Sequence, residues 1–181
     1  MARALRDGSL AEASKIFCFH SKEQAEMRKS KREITDFHEI LDIIQNMDTI
    51  RIGIHDGKYP YVVPVSFGYD SAGGRLAFYF HGAKEGKKAG LLAKNPHVCV
   101  EGDICYRFKD TESSVTCLYE SIIAYGKCSL AEGDEALHGL GRILSHCGYG
   151  GHTVNKNALP VTAVYKVAVE SITGKCRDKH N

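Results

Sequence analysis

The run Tyr59-Pro-Tyr-Val-Val-Pro-Val-Ser-Phe-Gly-Tyr69, then Asp70-Ser-Ala-Gly-Gly74, then Arg75-Leu-Ala-Phe-Tyr-Phe80 decides the fold. Its first part is β-branched and aromatic, the composition of a strand, with Pro60 and Pro64 fixing the local backbone. Asp70–Gly74 carries turn chemistry, so Arg75–Phe80 reads as the returning strand of a hairpin. Directly after it, His81-Gly-Ala-Lys-Glu-Gly-Lys-Lys88 leads into Ala89-Gly-Leu-Leu-Ala-Lys-Asn95, a helix expected over 84–94. A strand that ends in a glycine-containing, lysine-rich turn and opens a helix is an anion-site pattern. Glycine lets backbone N–H groups approach, the helix N-terminus is partly positive, and lysines add full charges. Taken alone, the same lysines also read as an ordinary solvated first turn.

Working outward, Thr49-Ile-Arg-Ile-Gly-Ile-His55 alternates apolar residues at the period of a half-buried strand, and Asp56-Gly57 turns it into the strand that follows. Upstream, Thr35 or Asp36 is placed to cap a helix through about Asn46, with Ile40, Leu41, Ile43 and Ile44 on its apolar side. Downstream, Pro96–Glu101 reads as a strand, 104–112 as a loop of mixed polarity, and Val115–Lys127 as a long strand in which Gly126 marks a bend or bulge. Glu132–His146 is helical and ends in Cys147-Gly-Tyr-Gly-Gly151; Pro160–Ile172 is the final strand. About six strands joined by tight turns, with two or three interrupting helices, predict a mainly β, antiparallel Greek-key barrel, although periodicity alone also permits another α+β arrangement.

The chain has 181 residues, 43% apolar and 25% charged, with a formal charge of +2. That balance is globular and too mild to argue for nucleic acid, and no apolar run is long enough to span a bilayer. Without a secretory pattern at the N-terminus, the expected location is the cytoplasm. Seven cysteines form no C-x-x-C pair, so neither a zinc ribbon nor a thioredoxin-type couple is indicated. Cys99, Cys117 and Cys128 read as small strand hydrophobes. Cys18 and His20 are too few ligands for a metal, and His146, Cys147 and His152 read as a helix end and loop, so no metal is expected.

Tyr59–Tyr69 followed by Phe78-Tyr-Phe-His-Gly-Ala-Lys-Glu-Gly-Lys-Lys88 resembles the pyridoxamine-phosphate-oxidase-like flavin-binding split barrels, and is most similar to the branch holding nitroimidazole-resistance (Nim-type) proteins. The resemblance covers residues 27–175, leaving 1–26 as an N-terminal extension and 176–181 as a tail. It implies a six-stranded FMN-binding split barrel, a homodimer with flavin at the subunit interface, a small-molecule acceptor with nitroaromatic compounds among the candidates, and transient NAD(P)H. FMN needs its phosphate neutralised, flat surfaces for its ring and hydrogen bonds for the ring's polar edge. By resemblance, Lys87 and Lys88 meet the phosphate, Val63, Pro64, Val65 and Ser66 the ring edge, and Phe80 and His81 the ribityl–phosphate end. Ser121 falls where oxidase members place a flavin-contacting Gln, and Glu120 replaces a common Arg. Val63 and Val65 equally read as core residues. His81 reads either as a structural strand-end group or as the proton donor for a reductase. The oxidase's C-terminal substrate signature is not visible in Thr173–Arg177, which argues against pyridoxamine-phosphate oxidation itself. The alternative to an FMN-dependent oxidoreductase is a non-catalytic FMN or haem binder acting as sensor, store or electron carrier.

Overall fold

The computed structural model describes residues 29–177; the extension 1–26, with Cys18 and His20, lies outside them, as does the tail from 178 on. In chain order the elements are β1 (Glu33–Ile34), α1 (Phe37–Gln45), β2 (Ile50–Asp56), β3 (Tyr59–Val65), β4 (Phe67–Asp70), β5 (Ala77–Ala83), α2 (Lys87–Lys94), β6 (His97–Asp110), β7 (Val115–Ala131), α3 (Gly133–His146) and β8 (Thr162–Arg177). The strands form one antiparallel sheet in the order β3-β2-β6-β7-β8-β5-β4, with β1 pairing β8. The mainly β antiparallel architecture is as expected, but the sheet has eight strands where six were predicted.

Two differences from the sequence reading have clear physical causes. The stretch 59–69 is two strands, not one: β3 pairs β2, while β4 pairs β5 at the opposite end of the sheet order. Only Ser66 separates them, so the two margins of the sheet are drawn together at that residue and the sheet must roll. The segment 104–112, expected as a loop, instead continues β6 to Asp110 in register with β7. Tyr106 and Phe108 do alternate with Arg107 and Lys109, a strand period, but residues 105–110 are all exposed and the run reads as mixed polarity. The shorter helix α2 also follows from the backbone: Gly86, at φ 106°, lies outside helical space and stops the helix from starting at 84.

The core fills the rolled sheet. Ile50, Ile52 and Ile54 of β2, Phe67, Phe78 and Phe80 of β4 and β5, and Val100, Ile122 and Val167 of β6–β8 are all buried. Helix α1 covers one side with Ile40, Ile43 and Ile44, started by Asp36, whose Oδ1 accepts from the N–H groups of His38 (2.9 Å) and Glu39 (3.0 Å). Helix α3 lies directly on β4. A Cβ at Gly68 would collide with the backbone of Arg142 and Ile143, so only glycine permits that approach. Arg142 donates its Nε–H to the Tyr69 carbonyl (2.7 Å), and His146 Nε2 bonds the Met47 carbonyl (2.7 Å) with its ring 4.2 Å from Phe67. His146 is thereby a packing residue. The expected irregularity at Gly126 is a register shift between Tyr125 and Gly126 against β8.

Candidate functional site

The end of β5 sets the site. Phe80 is fully buried and opposite Tyr165 of β8, with the rings stacked at 5.1 Å and 18° between planes. His81, the next residue, turns to the exposed side opposite Val164. Since Phe67 pairs Phe80, Ser66 and His81 occupy the next position beyond that pair. The strand junction and the histidine therefore stand at one end of the β4–β5 ladder.

Helix α2 then returns Lys88 to the same place. Its Nζ lies 5.2 Å from the Phe80 ring centre and 5.9 Å from that of Tyr165, filling the space beside Gly82. Burial pushes the Lys88 ammonium below its ordinary value, and among the described residues no carboxylate pairs with it. A partly desolvated cation held over two aromatic faces at the first turn of a helix is an anion-seeking group. Beside it a cleft of about 430 Å³ is lined by Lys84, Ala89, Leu92, Cys128, Leu130 and Tyr165, among others. Burial pushes the Cys128 thiol up to about 12, so it is an apolar wall of that cleft and not a nucleophile.

Lys87 points elsewhere. Its Nζ bonds Asp56 Oδ2 at 2.6 Å and lies 4.7 Å from the Tyr61 ring centre, tying α2 to the β2–β3 hairpin; the Asp56 carboxylate holds its pKa above the ordinary value. Val63 and Val65 are half-buried against the core, while Pro64 and Ser66 are exposed. Strand β3 ends the sheet order, so one of its edges has no strand partner among the described residues and offers backbone groups to a ligand. Ser121 pairs Asp103 and Lys175 and lies seven residues along β7 from Cys128, roughly 23 Å at strand rise. Within one chain it is not brought to the cleft. Phe80 and Lys88 are brought together. His81 and Ser66 stand at the same end of the ladder, with His81 on the opposite face of β5 from Phe80, Gly82 and Lys88. Lys87 and Ser121 are not brought there.

Sequence reasoning missed Tyr165, which stacks on Phe80 from a strand 85 positions later and carries no local signal; only the pairing of β5 with β8 reveals it. It also missed the buried carboxylate at Glu120, 1% exposed, which accepts a short bond from the Tyr106 hydroxyl. Among the described residues no group of three or more His, Cys, Asp or Glu side chains converges as a metal site, and no helix is long and apolar enough to cross a membrane.

The model of the pyridoxamine 5'-phosphate oxidase family matches residues 36–176, which takes in the whole sheet from α1 onward. The chain belongs to that family. Pyridoxamine 5'-phosphate oxidase relatives bind flavins, and the solved structures similar to this chain agree with the placement. A Bacteroides thetaiotaomicron protein provisionally described as a 5-nitroimidazole antibiotic resistance protein is 31% identical, over 79% of this chain and 85% of that one, at a TM-score of 0.71. The flavocytochrome Anf3 of Azotobacter vinelandii (17% identity, 87% and 75% covered, TM-score 0.73) and an FAD and haem binding protein of Mycobacterium smegmatis (14%, 81% and 74%, 0.70) share the fold. No curated protein sequence matches the chain.

Proposed function

We propose that this family member is an FMN-dependent oxidoreductase that reduces a small acceptor, with nitroaromatic compounds the first class to test. The observation that supports it most is Lys88, a cation tucked against the Phe80–Tyr165 pair with no carboxylate partner among the described residues, next to a cleft that Tyr165 also lines. Those residues fit a flavin phosphate. Lys88 neutralises it, the N-terminus of α2 adds backbone N–H groups, and Lys84 at the cleft adds charge. The exposed His81, next to Phe80 along β5 but on the other face of the strand, serves as the proton donor to the acceptor. The unpartnered edge of β3 around Val63, Pro64 and Val65 supplies backbone groups for the ring's polar edge. When bound, FMN supplies the electrons, replenished by a transiently bound nicotinamide.

A homodimer completes the site in this reading. Val62, Gly53, Cys99 and Tyr125 share one row across β3, β2, β6 and β7, and Val62 and Tyr125 are 52% and 49% exposed on it. An outward row of this kind is suited to pairing with its own copy, and a cofactor between subunits gives Ser121 a place that one chain does not.

The test is an absorption spectrum of the purified protein before and after FMN addition and desalting, followed by NAD(P)H-driven reduction of a nitroimidazole. Retained flavin bands with turnover that falls at least tenfold in His81→Ala support the reductase. Retained flavin without turnover moves the assignment to a non-catalytic carrier. A Soret band on haem addition with no flavin uptake, or no chromophore at all, overturns the FMN reading.

A further inference from the structure

The β6–β7 hairpin carries two thiols that no part of the flavin reading uses. Cys105 Sγ and Cys117 Sγ are 3.1 Å apart, on residues 12 positions apart in sequence. Their approach follows from the ladder. Cys105 pairs Tyr119, and Cys117, two residues before Tyr119, shares its face of the sheet. Diagonal neighbours of this kind usually stand well apart. Here the register shifts between Cys105 and Arg107, and that bulge brings the diagonal pair together while sending Tyr106 to the opposite face, where its hydroxyl meets Glu120. Cys105 is exposed and Cys117 half-buried, so one member of the pair is open to solvent. Cys128, by contrast, is buried at the cleft.

We propose that Cys105 and Cys117 are a reversible thiol-oxidation site, converted to an intramolecular disulfide by low-molecular-weight disulfides of the glutathione class. The exposed Cys105 thiolate attacks one sulfur of the oxidant, forming a mixed disulfide and releasing one thiol, which takes up the proton that Cys105 gave up. The Cys117 thiolate then attacks Cys105 Sγ, forming the Cys105–Cys117 bond and expelling the second thiol, which takes the proton from Cys117. Two protein thiols are oxidised and one small disulfide is reduced to two thiols. The hydrogen bond that the Cys117 thiol shares with Cys105 holds it above its ordinary value, which fits Cys105 as the entry point and Cys117 as the resolving partner. The bond clamps the hairpin where its ladder is weakest, below a tip whose Phe108 is 72% exposed.

Full-length protein, reduced and freed of reductant, is incubated with glutathione disulfide, alkylated, digested and read by mass spectrometry without reduction, with fragmentation separating Cys105 from Cys99. Thermal unfolding is followed in parallel for the wild type, Cys105→Ser and Cys117→Ser. The expected result is a Cys105–Cys117 cross-link and an upward shift of several degrees in the unfolding midpoint. Dithiothreitol reverses the shift, and neither variant shows it. Glutathione retained on either cysteine without cross-linking, a cross-link to another cysteine, no reaction, or a shift that persists in both variants would overturn the proposal.

Discussion

Replacing Lys88 with methionine keeps most of the side chain's length and removes only its charge. In the wild type that charge lies against Phe80 and Tyr165 at the first turn of α2, and burial lowers its pKa. A hydrogen bond from a charged donor to a phosphate oxygen contributes about 1.5–3 kcal/mol, so Lys88→Met should weaken FMN binding by roughly 10- to 150-fold. Lys87 is an internal control one residue away. It is exposed and already engaged by Asp56, away from the aromatic pair, so Lys87→Met should leave FMN affinity nearly unchanged. The two variants also part company in stability. A lysine whose folded pKa is depressed carries a desolvation cost that is fully present below that pKa and relieved as pH rises through it towards the ordinary value. Lys88→Met should therefore be slightly more stable than wild type near pH 7, with the gain shrinking as the solution becomes alkaline; Lys87→Met should show no such gain. Fluorescence titration of FMN and denaturant unfolding across pH measure both. Unchanged FMN affinity in Lys88→Met, or a loss in Lys87→Met as large as in Lys88→Met, would refute the assignment of the phosphate to Lys88.

Three further outcomes rest on packing and hydrogen bonding. Gly68→Ala drives a methyl group into the backbone of α3 at Arg142 and Ile143, which cannot yield as a side chain would; the expected cost is about 3 kcal/mol or more by denaturant unfolding. Tyr106→Phe removes one partner from the buried Glu120 carboxylate and should cost about 1 kcal/mol or somewhat more. Burial, and then the bond to Glu120, push the Tyr106 hydroxyl up to about 12 from 10.0. Its contribution to stability is thus complete below pH 10.0 and lost as pH climbs through about 12, and phenolate absorbance should show one tyrosine titrating late. Asp36→Ala leaves two N–H groups of α1 uncapped, which should cost about 1 kcal/mol and lower the thermal midpoint, while Asp36→Asn should retain most of it.

The sheet was legible where one face is buried. Ile50, Ile52 and Ile54 alternate because β2 has an inside and an outside, and the Asp56-Gly57 turn is a local event between adjacent residues. Helix α1 could be read from its cap and its isoleucines for the same reason. What escaped depends on non-local pairing. Nothing within 59–69 says that the chain changes partners at Ser66, because the valines and tyrosines before it and Phe67 and Tyr69 after it all suit a strand. The distal half of β6 escaped because its alternation, Tyr106 and Phe108 against Arg107 and Lys109, is short and mixed with charge, and its residues are exposed on both sides. At the site, the lysine-rich turn after β5 announced a cation, but whether Lys87 or Lys88 faces the aromatic pair is set by the helical phase of α2 and by Asp56 on another strand. Tyr165 belongs to the site only through the β5–β8 pairing.

The exchange of partners at Ser66 also governs the order in which this chain can assemble. The β2–β3 and β4–β5 hairpins are local, so a nascent chain that has reached Ala83 already holds both margins of the finished sheet. Its middle has not yet been made. β2 awaits β6 and β5 awaits β8, and each shows a bare, largely apolar edge until those partners arrive. The last strand, β8, joins β7 to β5 and so is the keystone: a chain cut short before it leaves two unfilled edges able to recruit other chains.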